Sequence, residues 1–213
     1  MRSGPAPDWE TPLVVQVSRW DPLKDPLGVM QGFTRHVNGE GPGRPQLVLA
    51  GPQVSAVSDD PEGEIVYRQV VEAWRALPDA DRSRVHLVSL PMEDVEENAA
   101  IVNTIQRHAA VVVQKSLCEG FGLTVAEAMW KGRAVAGSAV GGIQDQIDHG
   151  VNGLLLQDPE DLEAFGGILT QLLSDRALAN TLGQAARERV RERYLGLQSL
   201  ERWGDLIERL DRS

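Results

Sequence analysis

Cysteine is almost missing from this chain: Cys118 is the only one in 213 residues. That excludes an internal disulfide framework and a cysteine-built zinc site, and it fits a reducing compartment, so a cytoplasmic location is expected. Positive charge is also scarce, with 21 basic side chains against 31 acidic ones and a net charge of −10. Long-range attraction to nucleic acid or to an anionic membrane is therefore not expected, and any phosphate must be held locally. Long apolar runs are missing too. The longest, around "AAVVV", is far too short to span a bilayer, and "MRSGPAPDWETP" at the start has no apolar core of signal-peptide length. His36, His86, His108 and His149 are scattered with no metal-ligand spacing. No Walker-type loop, G-x-G-x-x-G fingerprint or Ser-His-Asp order occurs.

What is present is a regular alternation. Residues 1–12 are proline-rich and polar and read as a linker or tail, and one domain is expected over 13–213. "LVVQVS" (13–18), "PQLVLAG" (45–51), "RVHLVSL" (84–90), "AVVVQKS" (110–116), "RAVAGSA" (133–139) and "NGLLLQ" (152–157) read as strands. Helices fall between them. Asp25 and Pro26 form an N-cap and first position for "PLGVMQGFTRHV", a second helix runs from about 64 to 77, and "EDVEENAAIVNTIQRHA" has apolar positions near 95, 99, 102 and 105. The strands are apolar at successive positions, which fits burial on both faces. The fold class is α/β: a Rossmann-like parallel sheet of about six strands with helices on both faces, followed from 159 onward by C-terminal helices.

In such a sheet a ligand sits beyond the carboxyl ends of the strands, so the loops there carry the candidates. After the first strand come Arg19 and Lys24, just before a helix start. A forked guanidinium and a mobile ammonium suit a diphosphate, although two surface cations near an aspartate would read the same way. After the fourth strand comes "EGFGLTVAE", in which Gly120 and Gly122 let a ligand approach the backbone where a helix begins. The amides of Phe121 to Val125 are then available to phosphate or sugar oxygens. "TVAE" (124–127) is also a capping box, with Thr124 and Glu127 satisfying each other's amides, and that accounts for Glu127 without any ligand. Glu119 lies outside the helix and has no such account. The paired Gly141 and Gly142 after the fifth strand read as a tight turn.

Together, "SRWDPLK", "EGFGLTVAE", "VGGI" and "GVNGLLL" resemble the C-terminal domain of retaining glycosyltransferases with the two-domain GT-B architecture, in glycosyltransferase family 4. The resemblance covers almost the whole chain from about residue 13. More narrowly, "VSRWDPLKDPLGV", "DDPEG", "VVVQKS", "EGFGLTVAEAMWKG" and "VGGIQDQIDHGVNG" look like the trehalose synthase branch, whose members transfer glucose from a nucleotide sugar to glucose. The retaining trehalose phosphorylases share several of these blocks and use phosphate in place of a nucleoside diphosphate. "QKS" joined to "EGFGLTV" favours the synthase.

The resemblance implies a role for each site residue. Arg19 and Lys24 match the pair that holds the donor's diphosphate and neutralises charge as the leaving group departs. Glu119 matches the glutamate that faces the donor sugar. The amides of Gly120, Phe121, Gly122, Leu123 and Thr124 match the loop that touches sugar and phosphates, and Glu127 matches the carboxylate that accepts from ribose hydroxyls. The nucleobase is placed near Ser89 to Met92, held largely by backbone groups. Ser18 stands where many relatives have glycine. No cofactor and no metal is implied, the substrate being an NDP-glucose.

The implied partners are the nucleotide sugar donor, a sugar acceptor and a missing N-terminal GT-B domain, with no nucleic acid, no membrane and room for a homodimer of the intact protein. The chain is then one domain of an enzyme whose reaction lies in a cleft between two. Alone it should bind nucleotide sugar weakly and turn over little, and "LQSLERWGDLIERL" should show an apolar face with Leu200, Trp203, Leu206 and Leu210. A reading from a different class, a non-catalytic nucleotide-sugar-binding module, stands beside the enzyme.

Overall fold

Valine, leucine and alanine at consecutive positions give strands with no wet face, and such strands are stable only between two layers of helix. The computed structural model describes residues 7–38, 43–54 and 61–211, and it shows this arrangement. Six strands, β1 (Leu13–Val17), β2 (Gln46–Pro52), β3 (Val85–Leu90), β4 (Val111–Gln114), β5 (Ala134–Ser138) and β6 (Leu154–Leu156), form one sheet in the order β3-β2-β1-β4-β5-β6. Every pairing is parallel. Val15 lies opposite Val48 on one side and Val112 on the other, which fixes the register through the middle of the sheet.

The connecting helices are α1 (Pro26–His36), α2 (Pro61–Ala76), α3 (Asp79–Arg82), α4 (Val95–His108), α5 (Leu123–Trp130), α6 (Ile143–Gln146), α7 (Leu162–Ser174), α8 (Arg176–Arg193) and α9 (Gly196–Asp211). Odd and even strand positions feed separate cores. Val14, Leu47, Leu49, Val111 and Val113 pack with Val29 and Phe33 of α1, Val70 of α2 and Phe165 and Leu169 of α7. Val15, Val48, Val112 and Val135 pack on the other face with Val125 and Met129 of α5, Ile143 of α6 and Ala186 and Val190 of α8. Fully burying one such side chain is worth about 1.5–3 kcal/mol relative to exposure, so these two layers outweigh any single surface charge pair.

The expected strands are found with boundaries that differ by no more than two residues. Of the stripe expected on α4, Val102 and Ile105 pack on the second core together with Ile101, whereas Val95 and Ala99 are exposed. The second helix, expected from about 64, already starts at Pro61; residues 55–60 before it lie outside the described residues, as do residues 1–6 of the expected tail. On α9, Leu200, Trp203, Leu206, Ile207 and Leu210 are all exposed, in agreement with the apolar face expected there. Among the described residues no helix is long and apolar enough to cross a membrane.

Candidate functional site

The strand order places the site. β1 leads away toward β2 on one side, and β4 leads away toward β5 on the other, so the segments following these two neighbours diverge. A crevice opens at their carboxyl ends, the place where ligands bind in open parallel sheets. Here it is an open cleft of about 310 Å³ lined by Ser18, Arg19, Lys24, Gln114, Glu119 and the residues from Phe121 to Thr124.

On the β1 side the chain is pinned at each step. Trp20 is buried, meets the Tyr67 ring in a tilted contact at 4.9 Å and donates its indole N–H to the Pro52 carbonyl at 2.9 Å. Asp21 then starts a single 3-10 turn, Pro22–Lys24, by accepting the Leu23 amide at 2.8 Å. The Lys24 carbonyl accepts from Gln16 Nε2 at 2.8 Å, so the backbone at Lys24 is tied to the strand it has just left. Asp25 caps α1 by accepting the Gly28 amide at 2.9 Å, and Pro26 follows as the first helical residue, as the sequence predicts.

On the β4 side a buried polar triplet, Gln114, Lys115 and Ser116, ends the strand. The Leu117 amide donates to the Leu23 carbonyl at 2.8 Å and links the two loops. Glu119 then turns back into the cleft. Its Oε2 accepts from Lys24 Nζ and lies within reach of Ser116 Oγ at 3.4 Å and Gln114 Nε2 at 3.5 Å, and its Oε1 accepts the Gly120 amide at 3.1 Å. Lys24 and Glu119 are both mostly covered, with 16% and 11% of their side chains exposed. The glutamate without a structural account in the sequence is therefore the counter-ion of the cleft lysine.

α5 begins differently from the capping box that "TVAE" suggests. Its N-cap is Gly122, at φ 84, and no side chain caps it. The helix starts one residue before Thr124, which places Thr124 inside the first turn, where it cannot accept as an N-cap. The reason is local: a left-handed residue is needed to swing the chain from the Glu119 loop into the helix, and Gly122 takes that conformation at little cost. The Val125 amide bonds back to the Gly122 carbonyl at 3.0 Å, so it is not available to a ligand as the sequence reading had it. The amides of Leu123 and Thr124 receive no acceptor from the helix. Glu127 is left without its capping role. It is exposed, one turn beyond Leu123 on the same side of the helix, and faces Lys131, whose amine burial holds below the ordinary lysine value while Glu127 opposes the shift and Arg107 adds to it.

The paired glycines of the β5 loop make more than a turn. The Gly142 amide donates to the Gly120 carbonyl at 2.7 Å, and a Cβ on Gly141, which has φ 48, would lie 1.7 Å from the Glu119 carbonyl oxygen. The two loops are in backbone-to-backbone contact. Gln146, fully buried at the end of α6, adds a bond from its side-chain amide to the Phe121 carbonyl. Phe121 itself meets the Tyr194 ring edge-on at 5.8 Å. The support of the EGFG loop by Gln146, and the contribution of Gln114, Lys115 and Ser116, were missed by the sequence reading. Three successive polar residues directly after "VVV" were the available signal.

The structure thus brings Lys24, Glu119, Phe121, Gly122, Leu123 and Thr124 to one cleft, with Arg19 at its rim. Arg19 is 68% exposed and paired with Asp21 at 3.0 Å, pointing to its own turn and away from the floor. Gly120 forms part of the loop and its amide is occupied by Glu119. Met92 lies beyond β3, exposed, with its sulfur 3.5 Å from Asn98 Nδ2, outside the cleft lining. Chemically, the cleft offers one covered ammonium, one exposed guanidinium, the Leu123 and Thr124 amides and a carboxylate. That set can exchange an internal counter-ion for an anionic ligand.

Residues 95–189, which carry α4 through most of α8, match the family described as glycosyl transferases group 1. The chain carries a group 1 glycosyltransferase domain. The chain is 38% identical over 203 residues to a trehalose synthase from Pyrococcus horikoshii, covering 95% of this chain and 45% of that protein. It is 30% identical over 185 residues to a trehalose phosphorylase from Pleurotus pulmonarius, covering 83% of this chain and 24% of that one. Among solved structures it superposes on sucrose-phosphate synthase from Thermosynechococcus elongatus with a TM-score of 0.74 and 29% identity, over 96% of this chain and 47% of the other. The chain spans less than half the length of these relatives, and its fold is that of one Rossmann-like half of a GT-B enzyme.

Proposed function

We propose that this domain is the donor-binding half of a retaining glucosyltransferase, one that transfers glucose from a nucleotide sugar to glucose as in the trehalose synthase reaction. The observation that carries the reading is the meeting of Lys24 and Glu119, far apart in sequence, at the β1/β4 crevice beside the uncapped start of α5. A diphosphate entering there takes Glu119's place on Lys24, draws Arg19 from Asp21 and receives the Leu123 and Thr124 amides. Each charge-assisted bond of this kind is worth about 1.5–3 kcal/mol.

As the glycosidic bond breaks, negative charge grows on the leaving diphosphate, and the same groups are stronger ligands for it then than in the ground state. This charge balance asks for no metal ion. Glu119, released from Lys24, orients the sugar hydroxyls or supports the positive charge at the anomeric carbon. The acceptor hydroxyl attacks from the face the diphosphate leaves, and a donor phosphate oxygen takes its proton, so configuration is retained. Glu127, exposed one turn beyond Leu123 and outside the cleft lining, accepts from ribose hydroxyls. The acceptor is held by the other half of the two-domain enzyme.

Calorimetric titration with UDP, ADP and GDP and their glucose conjugates tests the reading. One of them should bind, and Lys24→Ala and Arg19→Ala should each weaken binding by about tenfold or more. Absence of binding by every nucleotide would overturn it. The phosphorylase similarity supports a second reading, for which phosphate and trehalose without nucleotide should give glucose 1-phosphate in the full-length protein. The higher identity to the synthase over more of the chain favours the first.

A further inference from the structure

A second ion pair crosses the same crevice and is not used by the reaction above. Lys115, the residue after β4, is 1% exposed, and its amine reaches Asp25 Oδ2 on the β1 side. Asp25 is unusual in its backbone: at φ 45 and ψ 53 it is the one non-glycine residue at positive φ among those described. Four bonds converge on it, one being the first α1 bond from the Val29 amide to its carbonyl at 3.0 Å. Its amide closes the 3-10 turn on the Pro22 carbonyl at 3.1 Å, its Oδ1 caps α1, and its Oδ2 holds Lys115. The space for that carboxylate depends on Gly28, where a Cβ would lie 2.0 Å from Oδ2.

Lys24 immediately precedes this residue. The left-handed turn at Asp25 therefore sets the direction in which the Lys24 segment enters the cleft, while Gln16 fixes the Lys24 carbonyl and Leu117 fixes the Leu23 carbonyl. A buried ammonium with one carboxylate is an expensive way to fill space, since two apolar side chains of similar volume commonly give equal or greater stability. A left-handed aspartate adds a further backbone cost. Both costs fall at one point, one peptide bond from the covered cleft cation. We propose that Asp25 and Lys115 are positioning residues, which hold the Lys24 turn against the β4 loop so that a donor diphosphate meets an ammonium already in place.

This inference rests on Lys24 being a phosphate ligand, and the test separates the two ideas. Amide hydrogen exchange is measured on the ligand-free chain for Lys115→Met, Asp25→Asn and the double variant. Asparagine keeps the helix cap and tolerates the left-handed conformation, so folding is preserved in that arm. The reporters are the Leu117 amide, which bridges to Leu23, and the remote Leu47 amide, which donates to the Arg84 carbonyl at 2.8 Å.

In each single variant Leu117 should exchange about tenfold faster than the change at Leu47 accounts for. In the double variant, which leaves no unpaired charge, Leu47 should return to its original rate while Leu117 stays fast. Affinity for whichever of UDP, ADP or GDP the unaltered chain binds should remain about tenfold weaker in the double variant. Equal acceleration of both amides with joint recovery in the double variant would reduce the pair to a stabilising contact and overturn the proposal. Unchanged Leu117 exchange, or full nucleotide affinity in the double variant, would overturn it as well. If the unaltered chain binds no nucleotide, the proposed function fails, and the exchange rates still decide whether the pair fixes the Lys24 turn.

Discussion

α1 and α5 begin on opposite sides of one crevice, and their first turns are finished in opposite ways. α1 has an aspartate cap, a proline that brings no N–H, and a third amide taken by that cap. α5 has a glycine with no side chain to offer and an exposed leucine and half-buried threonine behind it. Both ends carry the same positive end of a helix dipole. In α1 that field is spent inside the protein, on Asp25 and through it on Lys115. In α5 it faces the cleft. A helix start binds a ligand only if the protein does not supply its own anion first, and a single residue at the N-cap decides which of the two it is.

Four substitutions would break or sharpen this contrast. Asp25→Ala should do the most damage: it strips the cap from α1, leaves Lys115 buried without its partner and puts alanine in a left-handed conformation, for a loss of about 4 kcal/mol in denaturant titration. Gly141→Ala should come next. The added carbon collides with the Glu119 carbonyl and must push the EGFG loop away from the β5 loop, costing ~3 kcal/mol, with nucleotide affinity falling alongside.

Glu127→Gln should leave the thermal midpoint unchanged, because no cap is lost, and should lower nucleotide affinity by about 1–2 kcal/mol in calorimetry. Unaltered affinity would remove Glu127 from the site. Thr124→Ala should be the mildest, at less than about 0.5 kcal/mol of stability, where loss of a true N-cap costs about 1 kcal/mol. A larger loss would mean that α5 starts in a capping box after all and that its amides are not open.

Much of this architecture was legible because it is written in short-range chemistry. "LVVQV", "VVVQ" and "AVAGS" declare doubly buried strands, and Asp25-Pro26 declares a helix start, since each signal depends only on residues next to one another. The strand order was not legible, because whether β1 takes β4 or another strand as its second neighbour is settled by how helices pack across the sheet. "TVAE" misled for a related reason. The box is real in pattern, yet the glycine two residues earlier can adopt the left-handed turn that the loop geometry requires, and the helix starts there. Arg19, Lys24, Glu119 and Glu127 entered through the resemblance of whole blocks. Neither spacing nor composition could have paired Lys24 with Glu119 or Asp25 with Lys115, because the partners are 95 and 90 residues apart in the chain.

The strand order also sets a schedule for the growing chain. β1, β2 and β3 emerge first and can pair among themselves, whereas Val14 and Val15 must wait for Val111 and Val112 before their other edge is covered. Until then β1 presents an apolar, unprotected strand edge, the kind that recruits neighbouring molecules. Parallel pairing of distant segments is also slow to form. Yield during synthesis should therefore depend on temperature and on chaperone supply more than the finished domain's stability would suggest. The seam at which the cleft opens is, in the nascent chain, the part most exposed to misassembly.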